Sequence, residues 1–218
     1  MSAYRRTPRD ERRRRLGQNF LRPELADRLV ADAAFRGGEL VVEVCAGPGQ
    51  VTLALARRAV TVVAVEVDPV WARRLRDLVR QVAPARVQVM EADILSLPLP
   101  TRPFRAIGSL PFGQTTSILR HLLDNPTVPL ERADVVVQWE VARKRAAVPP
   151  STMLSTTWAP WWEFRLGPRI PATGFRPIPR VDAGVLVITR RSRPLLPVAM
   201  ARRYADFVRA HWPFDREM

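Results

Sequence analysis

Within Gly108-Ser109-Leu110-Pro111-Phe112-Gly113, a hydroxyl, a backbone carbonyl and an aromatic ring follow one another closely. The exocyclic amine of a nucleobase is a poor nucleophile because its lone pair is delocalised into the ring. Acceptors that grip its N–H groups localise that pair, and Ser109 and the Leu110 carbonyl could be those acceptors. Phe112 could stack on a base flipped out of its strand, and its face also suits a nearby positive charge. A Pro-Gly turn with a core phenylalanine fits the same string equally well. Upstream, Gly47 and Gly49 let backbone approach a ligand, and Glu66, 17 residues past Gly49, could accept hydrogen bonds from two ribose hydroxyls. Asp93 could accept from the amine of an adenine, or cap the turn before Ile94-Leu95. Gln50 and Val51 follow Gly49, so the full dinucleotide fingerprint is missing, and no P-loop is present. An adenosine without a pyrophosphate, as in S-adenosylmethionine, therefore explains the loop better than a dinucleotide does. The plainer alternative is a turn with Glu66 as a solvated strand end.

These residues need a scaffold that brings them together. Leu40 to Val44, Thr61 to Val65, Val87 to Met90, Phe104 to Ile107 and Ala133 to Val137 are short apolar runs, four of them rich in valine. Helix-like stretches separate them, one through Val51, Leu53 and Leu55, one through Trp71, Leu75, Leu78 and Val82, and one around Ile118, Leu119, Leu122 and Leu123. Such alternation predicts an α/β fold, a Rossmann-like, doubly wound, mostly parallel sheet. Ligands of such sheets sit beyond the carboxyl ends of the strands, where Gly47, Glu66, Asp93 and Ser109 all fall. From Pro149 onward, prolines punctuate short segments, and Gly184 to Thr189 reads as a late strand in a hairpin-like addition at the sheet edge. Ala201, Tyr204, Val208 and Trp212 form the stripe of one last helix.

A chain of 218 residues with 47% hydrophobic content is long enough for one α/β domain and a small appendage. Its single cysteine, Cys45, excludes an intramolecular disulfide framework and a cysteine-built zinc site. No apolar run approaches the ~18 residues of a membrane span, so a soluble cytoplasmic protein is expected. The net charge is +14, and Lys144 is the only lysine among 35 basic residues. Arginine forks onto phosphate and stacks on bases, which makes nucleic acid the leading partner class, although codon bias could supply part of the arginine count. The charge is densest at the front, where residues 5 to 15 hold seven arginines against Asp10 and Glu11. Residues 1–15 are expected to form a basic flexible arm, residues 16–191 the catalytic domain and residues 192–218 a C-terminal helical remnant.

Six ordered segments carry a resemblance. They are Leu16-Gly17-Gln18-Asn19-Phe20-Leu21, Glu43-Val44-Cys45-Ala46-Gly47-Pro48-Gly49, Glu66-Val67-Asp68, Glu91-Ala92-Asp93, Ser109-Leu110-Pro111-Phe112, and Phe175-Arg176-Pro177-Ile178-Pro179-Arg180-Val181-Asp182. In order and spacing this set resembles the rRNA adenine N-6-methyltransferases. The arginine-rich start, Gln138 to Arg143 and Pro160-Trp161-Trp162 look more like the macrolide-resistance (Erm) 23S branch than the small-subunit branch. The resemblance implies a class I S-adenosylmethionine-dependent fold and methylation of an adenine N6 in 23S rRNA, naked or in a precursor particle. It further implies a monomer, no metal and resistance to macrolides as the outcome.

Gln18, Asn19 and Leu21 would touch the cofactor, and Glu43, Cys45, Gly47 and Gly49 would surround its methionine part. Glu66 and Val67 would hold the ribose, and Asp93 and Ile94 the adenine. Ser109 would serve both cofactor and target; Leu110, Phe112 and Phe175 would hold the base, and Arg14 and Arg15 the RNA. The family has glycine where Cys45 stands and asparagine where Ser109 stands, which puts cofactor affinity and methylation rate at issue. Only 28 residues follow Arg190, so the C-terminal helical domain is expected to be naturally short or cut. A small-subunit rRNA dimethyltransferase, or a non-catalytic RNA-binding assembly factor, is the alternative.

Overall fold

A computed structural model of the chain describes residues 17–212. The expected arm, with Arg14 and Arg15, lies outside the described residues. The elements run β1 (Phe20–Leu21), α1 (Pro23–Ala33), β2 (Leu40–Val44), α2 (Gln50–Ala56), β3 (Thr61–Glu66), α3 (Pro69–Val82), β4 (Val87–Glu91), β5 (Phe104–Ser109) and α4 (Thr115–Leu123). They continue with β6 (Leu130–Gln138), α5 (Trp139–Arg145), α6 (Met153–Trp158), β7 (Trp162–Ile170), β8 (Phe175–Arg176), β9 (Ala183–Arg190) and α7 (Ala201–His211).

Seven strands form one sheet in the order β4-β3-β2-β5-β6-β9-β7. The first five are parallel, and β9 runs antiparallel to both β6 and β7. The chain builds outward from β2 to β4, then crosses back to lay β5 on the other side of β2. The crevice of a doubly wound sheet opens at this reversal, between the carboxyl ends of β2 and β5. All five residues of β2 are buried because helices cover both faces. One apolar layer packs α1, α2 and α3 on the sheet through Leu29, Leu55, Leu75 and Val79. The other packs α4, α5 and α6 through Leu119, Leu122, Ala142 and Trp158.

Helix α3 starts where Asp68 accepts from the Val70 N–H and Pro69 presets the first turn. Its buried face is Ala72, Leu75 and Val79, whereas Val82 of the expected stripe is 53% exposed. Helix α7 buries Val208, but Trp212 sits beyond it in extended backbone, so the last stripe ends one turn earlier than its spacing predicts. The hairpin-like addition expected at the sheet edge is the antiparallel pair of β7 and β9, although the span of β7 itself is not legible in the sequence. Strand β7 is an edge strand with Gly167-Pro168 inside it, and the pairing with β9 shifts register there, between Leu166 and Arg169. An edge position tolerates a proline that a central strand would not. Also unforeseen is a separate two-stranded sheet in which β1 pairs antiparallel with β8, Phe20 opposite Arg176 and Leu21 opposite Phe175.

Candidate active site

The chain leaves β2 in left-handed turns, with φ at +60° for Cys45, +56° for Gly47 and +94° for Gly49. Gly49 caps α2, and a Cβ there would lie 2.5 Å from Leu75 Cδ1, so this glycine lets α2 sit against α3. Neither Gly49 nor Gly47 is among the residues that wall the cleft, which corrects the expectation that both touch the cofactor. Gly47 has a different task. Its N–H donates to Glu66 Oε2 at 2.6 Å, while Glu66 Oε1 accepts from the Asp68 N–H at 2.8 Å. The carboxylate is thus aimed by two backbone donors, and each oxygen keeps a second lone pair for a diol. Burial raises the Glu66 pKa, and the Asp68 and Gly47 amides oppose that rise.

Glu43 lies behind this loop, 1% exposed, and accepts from Thr52 Oγ1 at 2.5 Å. It lines neither half of the cleft, so the expectation that it touches cofactor is corrected: it fastens α2 to β2. Burial pushes its pKa up to about 8. The folded chain therefore holds a proton that the unfolded chain releases from about pH 4.3. The stability this proton confers is complete below that value and is lost as pH rises toward about 8, at up to ~1.4 kcal/mol per pH unit. Glu43→Gln should remove this share of the decline in melting temperature between pH 5 and 8, and a slope equal to the parent's would show that the carboxyl is not held protonated.

The cleft has two compartments that share Cys45, Val67 and Pro111. The smaller, about 40 Å³, is walled by Gly17 to Phe20, Glu66 and Ser109 to Phe112. The larger, about 140 Å³, is an apolar slot between Val67 and Ile94, with Ala92, Leu95 and Ile118 behind and Asp93 and Gln114 as polar members. Asp93 caps the turn as its simpler reading has it, accepting from the Leu95 N–H through Oδ1 at 3.0 Å, and it also borders the slot. Cys45 stands where the two compartments meet. Its thiol pKa is raised by burial and by the carboxylates of Glu66, Asp93 and Glu43, so it stays protonated.

Left-handed backbone costs a residue with a Cβ roughly 1–2 kcal/mol that glycine avoids, partly repaid by glycine's greater freedom in the unfolded chain. Cys45→Gly should therefore raise the melting temperature by about 2–4 °C, equivalent to about 1 kcal/mol. A lower melting temperature would mean that packing of the sulfur outweighs the strain.

On the far side of the switch point, a Cβ on Gly108 would lie 2.1 Å from the Val44 carbonyl oxygen. Only glycine lets β5 pass this close to the end of β2, and that approach carries Ser109 up to the Cys45 loop. The Leu110 N–H donates to Val136 O at 2.9 Å, and no hydrogen bond among the described residues ends on the Leu110 carbonyl. Pro111 O accepts from Gln114 N and Thr115 Oγ1, which closes the turn into α4 and fixes Phe112 at the mouth. Phe112 is half-buried, and Phe175 meets it edge to face at 6.5 Å and 72°. Phe175 is fully buried and has no free face for a base. Its expected role over the far side of the base is therefore corrected to support of Phe112.

Leu21 is likewise corrected: it is 4% exposed, belongs to the core, and is absent from the cleft wall. Its neighbour Phe20 lines the cleft instead, with its ring 3.0 Å from the position a Gly47 Cβ would take. The strand alternation of β1 could have signalled that only one of the two faces the cleft. Gln18 donates to Asp68 Oδ2 at 3.0 Å, while its Oε1 is buried without a hydrogen-bond partner beside the smaller compartment. An orphaned acceptor there, a carboxylate for a diol and an apolar slot bordered by Asp93 together fit an amino acid joined to an adenosine. Among the described residues, no group of three or more His, Cys, Asp or Glu side chains could hold a metal ion. A further cavity, about 330 Å³, lies among α4, α6 and α7, lined by Arg120, Pro126, Trp158 and Arg202.

Some of the arginine content is structural. Arg190 donates to the carbonyls of Leu130, Pro126 and Val128, and buried Arg105 donates to Ala33 O and pairs with Asp134.

The family model for ribosomal RNA adenine dimethylase matches residues 9–213. The rRNA adenine N-6-methyltransferase of Corynebacterium diphtheriae is 37% identical over 88% of this chain and 74% of its own length. The mycinamicin-resistance protein MyrB of Micromonospora griseorubida is 40% identical over 93% of this chain and 64% of its own length. This chain therefore spans 74% of the first of these relatives and less than two thirds of the second. The crystal structure of the 23S rRNA methyltransferase ErmE superposes with a TM-score of 0.78, at 34% identity, covering 88% of this chain and 78% of that one.

Proposed function

The chain belongs to the ribosomal RNA adenine dimethylase family, and on that premise we propose that it methylates the N6 amine of an adenine in 23S rRNA, with resistance to macrolides, lincosamides and streptogramins as the consequence. The observation that carries this reading is the placement of Ser109-Leu110-Pro111-Phe112 at the sheet's switch point, facing the same cleft as Glu66.

When bound, S-adenosylmethionine supplies an electrophilic methyl group on a sulfonium. Glu66 would hold the ribose hydroxyls, the slot lined by Val67 and Ile94 would take the adenine with Asp93 near its amine, and Gln18 Oε1 would accept from the ammonium end. Phe112 stacks on the flipped base, and Ser109 Oγ with the Leu110 carbonyl accept from its amine. With the cofactor's methyl group offered to the amine, Ser109 Oγ and the Leu110 carbonyl would hold the amine so that its lone pair points at the electrophilic carbon, and water would take the proton that the amine gives up. Positioning and electrostatics supply the catalysis, without a covalent enzyme intermediate. The protein acts as a monomer in the cytoplasm, on naked rRNA or a precursor particle. The seven arginines of residues 5 to 15 add grip on phosphates. No helix among the described residues is long and apolar enough to cross a membrane.

Labelled S-adenosylmethionine offered with separate 23S and 16S transcripts tests this. Label on N6 of adenine in 23S alone is expected. Label confined to 16S would reassign the chain to the small-subunit activity, and none on either would make it a non-catalytic RNA-binding protein.

A further inference from the structure

The ribbon formed by β1 and β8 touches both halves of the active site, through opposite faces. On one face Phe20 packs over Gly47 of the cofactor loop and meets Trp71 of α3 edge to face, with ring centroids 5.1 Å apart. On the other face Leu21 and Phe175, paired directly across the ribbon, enter the core, and Phe175 braces Phe112. The ribbon is also tied to α1. Arg22 N–H donates to Gly174 O at 2.9 Å, Arg22 Nε donates to Thr173 O at 2.9 Å, and a Cβ on Gly174 would lie 2.5 Å from Leu25 Cδ1. Two segments about 155 residues apart in sequence are thus joined by a two-residue register, with one aromatic ring on the cofactor side and one on the base side.

We infer that the β1–β8 ribbon couples cofactor binding to capture of the target base, with Phe20 and Phe175 as its two positioning residues. The inference rests on the methyltransferase reading above. The cofactor's methionine end fills the compartment under Phe20 and holds that ring against the Gly47 loop. Paired backbone carries this restraint from Leu21 to Phe175, and Phe175 in turn holds the Phe112 ring at the angle a stacked base needs. A site closed over cofactor is therefore already set for RNA, and bound RNA holds the cofactor side closed. Such coupling is reciprocal: each ligand strengthens the other by the same factor.

Calorimetry with S-adenosylhomocysteine and a short unmethylated 23S stem-loop, centred on the adenine that takes label in the transcript test, measures that factor without turnover. The parent should bind S-adenosylhomocysteine at least fivefold more tightly when saturated with the stem-loop. Phe175→Leu keeps an apolar side chain in the core but loses the edge-to-face brace. It should leave affinity for S-adenosylhomocysteine alone within twofold of the parent and cut the coupling factor below twofold. Phe20→Leu, read from the RNA side, should do the same to RNA affinity, and it decides the matter if Phe175→Leu fails to fold. A parent without coupling, or a folded variant retaining the parent's factor, overturns the inference. Methylation of 23S by an uncoupled parent would leave the proposed function standing, whereas absence of methylation would remove the function itself.

Discussion

Phe112→Ala should lower kcat/KM for methyl transfer to 23S rRNA about a hundredfold while leaving S-adenosylmethionine affinity within a few fold. The half-buried ring stands at the mouth of the cleft beside Ser109, fixed by the Pro111 turn on one side and by Phe175 on the other. Stacking on a base is worth roughly 1–3 kcal/mol, and an alanine also removes the wall that holds the amine near Ser109 and the Leu110 carbonyl. The cofactor's anchors are other groups, namely Glu66, Asp93 and the Val67–Ile94 slot. Single-turnover rates with labelled cofactor, set beside calorimetric affinities, separate the two effects. Equal losses in affinity and rate would move Phe112 from the target base to the cofactor.

Glu66→Ala should weaken S-adenosylmethionine binding at least tenfold, about 1.4 kcal/mol, because charge-assisted hydrogen bonds to a diol are lost. The loop should feel the change as well, since the Gly47 and Asp68 N–H groups both lose their acceptor. Glu66→Gln distinguishes the contributions: it keeps one carbonyl oxygen for a backbone donor but turns an NH2 toward the other. Its loss of affinity should approach that of the alanine variant even where its melting temperature stays closer to the parent's. Unchanged calorimetric affinity in both variants would overturn the assignment of the ribose site.

Much of the site could be read from the sequence because its residues end strands. Gly47, Glu66, Asp93 and Ser109 each follow a short apolar run, and a parallel sheet brings the carboxyl ends of its strands to one edge whatever the side chains between them. The readings that failed concern direction. Leu21 and Phe20 are adjacent, and a two-residue strand has no alternation long enough to show which of them faces the cleft. Glu43 and Glu66 are both strand carboxylates, yet one is sealed behind the loop by Thr52 and the other lines the cleft. Phe175 belongs to a segment whose resemblance suggested contact with the base, but burial gives it no face to offer.

By itself, then, the sequence determined the succession of the five parallel strands and of the helices α2, α3 and α4 among them, the glycine loop and the order of motifs that marks the family, all of which depend on local period and residue type. Tertiary structure alone decided which of those residues face the cleft. It paired β1 with β8, tucked Gly108 against Val44, and set Phe175 behind Phe112, contacts between residues separated by 63 positions or more. The physical reason is that a side chain's exposure depends on what the rest of the chain packs against it, and no local pattern records that neighbour.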